Sequence, residues 1–171
     1  MHVLVLTGSA RRESYTRQLG AALAEGLDGA LAPRLTVLPF FDQDLEPTPP
    51  AEVAALRAAV ADADALVVVT PEYNGTIPGL LGNAVDWLSR PYGAGVLRGK
   101  PVVALAASPG GVGGARAVVS LRTVLGNAGA ELLCAPVTAD AVHERLSDGV
   151  DELVAEVAQA LGTAPALAPA A

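Results

Sequence analysis

Residues 65–91 read ALVVVTPEYNGTIPGLLGNAVDWLSRP. The opening ALVVVT lacks the polar alternation of a half-exposed strand and so predicts a strand buried on both faces. It runs directly into Pro71, Glu72, Tyr73, Asn74 and Gly75, with a second proline at 78 and a glycine at 79. Proline fixes one backbone angle and glycine permits close approach or positive φ, so this is a shaped loop rather than a slack one. The next stretch, GLLGNAVDWLS (79–89), sets Leu80, Ala84 and Trp87 or Leu88 on one helical face. Doubly buried strand, loop, helix is the repeating unit of a parallel sheet covered by helices.

The unit recurs in both directions. HVLVLTGS (2–9) predicts a strand stopped by glycine, and SYTRQLGAALAEGL (14–27) a helix capped by Ser14 or a neighbour, with Leu19, Ala22, Leu23 and Leu27 at helical spacing. LTVLPF (35–40) is strand-like, 41–50 is a proline-rich acidic loop, and 51–63 is a helix with Glu52 in its first turn. Beyond the opening stretch come a strand at 101–108, a helix at 114–129 ended by glycine, a strand at 130–137 and an amphipathic helix at 149–161. The order βαβαβαβαβα with five strands fits an α/β three-layer sandwich, a flavodoxin-like parallel sheet of order 2-1-3-4-5. Residues 1–162 are expected to form one domain, and the Ala/Pro-rich residues 163–171 a disordered tail.

Half of the 171 residues are hydrophobic, enough for a core without disulfides. The lone cysteine, Cys134, excludes an internal disulfide and a cysteine-based zinc site, and it fits a reducing compartment. On the predicted last strand it reads as a small buried hydrophobe. A net charge of −7 argues against nucleic acid. No apolar run has the length of a signal core or a membrane span, so a soluble cytoplasmic protein is expected.

In a sheet of this order, ligands bind beyond the carboxyl ends of the strands, beside the switch between strands 1 and 3. Three loops meet there. TGSARRESYT combines Ser9, Ser14, Tyr15 and Thr16 with Arg11 and Arg12 at a helix start, where free N–H groups and a partial positive charge favour a phosphate. The purely structural alternative is that the serines cap and the arginines are solvated. Neither a GxxxxGK[ST] loop nor a GxGxxG fingerprint is present, and no cysteine follows strand 1 for a phosphate-loop phosphatase. The loop at 71–78 offers rigid backbone groups that can read a flat heterocycle edge-on, with Tyr73 supplying an aromatic face or packing. ASPGGVGGARA (107–117) has little side-chain bulk and suits a loop against a planar ligand. Trp87 reads as packing. No Ser-His-Asp or metal constellation is apparent, and His2 and His143 fall outside the three loops, His143 on a solvated loop.

GSARRESYTRQL (8–19), the 70–91 string, GKPVVALAASPGGVGGARA (99–117) and LRTVLGNAGAELL (121–133) together resemble the NADPH-dependent FMN reductase family, which includes quinone, chromate and azo-dye reductases. The resemblance implies that Ser9, Arg11, Ser14, Tyr15 and Thr16 hold the FMN phosphate. It implies that Pro71, Glu72, Tyr73, Asn74 and Gly75 meet the isoalloxazine, and that Ser108, Gly110 and Gly111 line its other edge. Thr16 stands where relatives often carry asparagine. The implied reaction takes hydride from NADPH or NADH to bound FMN and then two electrons to a quinone or similar small acceptor, with no protein nucleophile. Glu72 is expected to orient the loop or ring rather than move a proton. A homodimer or homotetramer is implied, with helix 79–89, Trp87 and Arg116 as interface candidates. The alternative is a flavodoxin-type one-electron carrier without reductase turnover, which the scarcity of aromatics disfavours.

Overall fold

The computed structural model describes residues 1–111 and 113–162. The predicted tail at 163–171 lies outside them. Strands β1 (Val3–Thr7), β2 (Ala30–Leu31), β3 (Ala65–Thr70), β4 (Pro101–Ala107), β5 (Glu131–Leu132) and β6 (Val137–Ala139) form one parallel sheet. Its order is β2-β1-β3-β4-β5, with β6 also paired to β4. Helices α1 (Tyr15–Gly26), α2 (Ala51–Asp62), α3 (Gly79–Leu88), α4 (Ala115–Asn127), α5 (Val142–Asp148) and α6 (Asp151–Gly162) cover both faces.

Every residue of β3 and β4 is buried, as their unbroken apolar runs require. Successive side chains then feed two separate cores. Leu66, Val68, Val102 and Ala104 pack with Leu56, Leu81 and Leu121 from α2, α3 and α4. Val67, Val69, Val103 and Leu105 pack with Leu19, Leu23 and Val157 from α1 and α6. These are the two helical layers of the sandwich.

Two predicted strands differ. The second strand is Ala30–Leu31, registered on Leu4 and Val5, and not 35–40. Leu35–Val37 is instead a short 3-10 turn whose Leu35 is buried in the core beneath α2 and α3. Pro33 and Pro39 bracket this stretch and donate no hydrogen bond to a ladder, which leaves a two-residue edge strand. The last predicted strand, 130–137, divides into β5 and β6, with Pro136 between them. Arg122 donates to the Cys134 carbonyl across that gap. Cys134 is half-buried, and burial pushes its thiol pKa up, consistent with an inert packing residue. Helix α5 had no counterpart in the expected pattern.

Helix α3 buries Leu81, Ala84, Val85, Trp87 and Leu88. Trp87 is 1% exposed, its Nε1 donates to the Pro39 carbonyl at 2.9 Å, and its ring meets Phe41 edge-on. It is therefore a core residue, as packing predicts, and offers no surface to a second subunit, contrary to its expected place at an interface. Asn83 fastens the same connection, donating to Pro39 O and accepting from Phe41 N. Among the described residues no helix is long and apolar enough to cross a membrane.

Candidate functional site

The connections after β1, β3, β4 and β6 gather at the carboxyl edge of the sheet. Gly8 N donates to Val69 O at 2.8 Å, Ser108 N to Ala139 O at 3.0 Å and Val142 N to Ser108 O at 3.2 Å. The three predicted loops therefore converge, and the turn leading into α5 joins them.

At the β1 loop, Ser9, Ser14 and Thr16 are buried while Arg11 and Arg12 are exposed on the rim. Ser14 is the N-cap of α1, its Oγ accepting from Arg17 N at 3.1 Å. The capping alternative is thus correct for Ser14. It fails for Ser9, whose Oγ is buried without a hydrogen-bond partner among the described residues. A buried hydroxyl is ordinarily paired, so Ser9 has hydrogen-bonding capacity that the described residues do not use. Beside the N-terminus of α1 and a guanidinium, the fitting group is an anion. Arg11 lies 5.9 Å from the centre of the Tyr15 ring, and the His143 ring is centred 6.0 Å from it. His143 therefore belongs to helix α5 at the rim of this loop, not to a solvated loop. Arg34, after β2, donates to Ala10 O at 2.9 Å and ties the neighbouring connection to this one. An isolated arginine carries no sequence signal for such a clamp.

At the β3 loop, Asn74 and Gly75 have φ of 53° and 75°. Tyr73 N to Thr76 O and Thr76 N to Tyr73 O, both 3.0 Å, close a two-residue turn of the kind that Asn-Gly favours. Tyr73 is half exposed at its tip. Glu72 points the other way. Its Oε2 accepts from Arg116 N and Ala117 N, and its Oε1 from the Arg116 guanidinium at 3.0 and 2.7 Å. The Arg116 hydrogen bond holds the carboxyl below its ordinary pKa. Glu72 therefore braces loop against helix, in line with its expected orienting role.

In the β4 loop, Ser108 Oγ accepts from Gly110 N at 3.1 Å. A Cβ at Gly113 would lie 2.9 Å from Thr138 Cβ, and one at Gly114 3.0 Å from Ala106 Cβ. The protein's own packing thus demands those two glycines. Around Gly111 it does not: among the described residues other than its chain neighbours nothing lies within 4 Å, and at Gly110 only its own loop's Ser108 is near. Two glycines beside open space leave a cradle that side chains would fill. With the unpartnered Ser9 at the other end, the residues present fit a phosphate-bearing planar cofactor such as FMN.

Two concavities lie away from these three loops. One of about 440 Å³ lies between the ends of α3 and α4, at the opposite edge of the sheet. One of about 540 Å³ is lined by Asp140, Glu144, Asp148, Asp151 and Glu152, and their charge repels phosphate.

Known proteins share this arrangement. The model of the NADPH-dependent FMN reductase family matches residues 1–143. A 2-hydroxy-1,4-benzoquinone reductase from Burkholderia sp is 41% identical over 132 residues, 72% of this chain and 69% of that protein. A quinone reductase from Pseudomonas putida is 40% identical over 127 residues, covering 72% and 68%. The solved structure of FerB, a flavoenzyme NAD(P)H:(acceptor) oxidoreductase from Paracoccus denitrificans, matches with a TM-score of 0.81 at 27% identity, over 95% of this chain and 98% of that one. With the family match running from β1 into α5 and reductases as its relatives, the chain belongs to the NADPH-dependent FMN reductase family rather than to the one-electron carriers of the same fold.

Proposed function

We propose that this reductase passes electrons from NAD(P)H through FMN to a quinone or a similar small acceptor. The observation that carries the reading is the buried Ser9 hydroxyl in the connection from β1 to α1, unpartnered among the described residues, at the same edge of the sheet as the glycine loop after β4. Ser9 and Thr16, with the free amides of α1, hold the FMN phosphate, while Arg11 and Tyr15 close over it from the rim and Ser14 keeps the helix start in place. Pro71 to Gly75 present a rigid backbone to the isoalloxazine. Ser108 shapes the loop whose Gly110 and Gly111 leave room for the other edge of the ring. FMN, when bound, supplies the two-electron chemistry, and the protein supplies binding, orientation and exclusion of water. The relatives named as quinone reductases support a quinone as acceptor. The lone half-buried cysteine fits the cytoplasm. A homodimer or homotetramer, implied by the family resemblance, belongs to the same proposal.

Purified protein incubated with FMN and desalted should be yellow, should bleach on anaerobic titration with NADPH or NADH, and should sustain NAD(P)H oxidation when a quinone is added. A protein that remains colourless refutes the FMN site. One that binds FMN but never oxidises NAD(P)H restores the carrier reading.

A further inference from the structure

We propose that Glu72 and Arg116 form a positioning pair that joins the turn at 73–76 to the first turn of α4, so that both walls of the flavin site are held by one carboxylate. The inference rests on the FMN reading above.

Helix α4 starts at Gly114, which has no side chain to cap it. Its first free amides, Arg116 N and Ala117 N, are satisfied by Glu72 Oε2 at 3.2 and 3.3 Å. The cap therefore comes from a different loop, 44 residues away in sequence. The other oxygen accepts from Arg116 Nε and Nη2, a forked, charge-assisted contact. Four hydrogen bonds fill the roughly four acceptor positions of a carboxylate, which leaves Glu72 no free lone pair with which to take a proton from substrate. Arg116 also lies against the turn itself: a Cβ on Gly75 would sit 3.6 Å from the guanidinium carbon. On the inner side, a Cβ on Gly114 would lie 3.8 Å from Glu72 Cβ. Turn, carboxylate, guanidinium and helix start thus form one contact chain. Release of FMN requires its two walls to part, so the pair governs how long FMN stays bound.

The test uses FMN-loaded protein, with FMN release followed by flavin fluorescence on dilution and amide hydrogen exchange measured at 73–76 and 116–117. Glu72→Gln, and separately Arg116→Met at an exposed side chain, should each release FMN about tenfold faster, and the double variant no faster than either. Arg116→Lys, which keeps charge but loses the fork, should recover part of the difference. Exchange should rise at both segments together in every single variant. Wild-type release rates in both variants, or faster exchange at 116–117 alone, would reduce Glu72 to a helix cap and overturn the proposal. Loss of turnover in Glu72→Gln with unchanged FMN release would overturn it in favour of proton transfer. If the wild-type protein takes up no FMN, the cofactor reading fails instead, and exchange in the apo-protein still decides whether the two segments are coupled.

Discussion

Replacing Ser9 by alanine should move two measurements in opposite directions. The residue is 6% exposed and its hydroxyl has no partner among the described residues. An unsatisfied buried polar group costs about 1–3 kcal/mol, so removing the oxygen should stabilise the apo-protein rather than weaken it. For a chain of 171 residues, each kcal/mol raises the melting temperature by about 2–4 °C. On the proposed FMN reading the same oxygen meets the phosphate, and a hydrogen bond to a charged group is worth about 1.5–3 kcal/mol. Its loss should weaken FMN binding by about ten- to a hundredfold. Thermal melts without flavin and fluorescence titrations of FMN read the two effects separately. Ser14→Ala is the control, because Ser14 Oγ caps Arg17 N in the protein itself. That variant should lose about 1 kcal/mol without any ligand. FMN affinity in Ser9→Ala within about twofold of wild type, or an apo-protein melting lower as in Ser14→Ala, would refute the assignment of Ser9 to the phosphate.

The glycine loop separates packing from ligand space. Gly111→Val, in open surroundings, should leave the melt within about 0.5 kcal/mol while lowering FMN affinity, whereas Gly114→Ala, at φ 81° and 3.0 Å from Ala106 Cβ, should cost about 1–2 kcal/mol of stability with or without FMN. Trp87→Phe removes the indole donor to Pro39 O but leaves Asn83 bonded there, so denaturant unfolding should show a loss of about 1 kcal/mol, against about 3–5 kcal/mol for Trp87→Ala. Glu72 is held below its ordinary pKa, so its contribution is complete above the normal glutamate range and is lost as pH falls through the depressed folded value. Acid titration of stability should show this loss in the wild type and not in Glu72→Gln.

The layers of the fold were legible because burial on both faces leaves an unbroken apolar run, and β1, β3 and β4 carry such runs. The second strand was misread for the opposite reason. LTVLPF has strand-like residues, yet its apolar side chains serve a loop seated on α3, where Trp87 and Asn83 hold the Pro39 carbonyl and Phe41 is tied to both. The true strand, Ala30–Leu31, is too short to produce any pattern. At the candidate site, the sequence groups hydroxyls beside a predicted helix start, but only the fold distinguishes Ser14, which caps, from Ser9, which is unpartnered among the described residues. Likewise, composition could not divide the glycines of 110–114 between those the packing demands and those beside open space.

Glu72 shows where local reading ends. Helix caps are sought beside the helix they cap, and at α4 that position holds Gly114, a residue that supplies no acceptor. The missing local cap was a signal in its own right, since exposed first-turn amides need a partner or a ligand. Two candidates at this edge of the sheet could have met that need: a bound anion or a distant carboxylate. The carboxylate occupies it, so the N-terminus of α4 is closed to phosphate. That leaves the N-terminus of α1, with Ser9 nearby unpartnered among the described residues, as the end proposed above for the phosphate. On that reading the brace at α4 sets the direction in which the ring would lie across the strand ends.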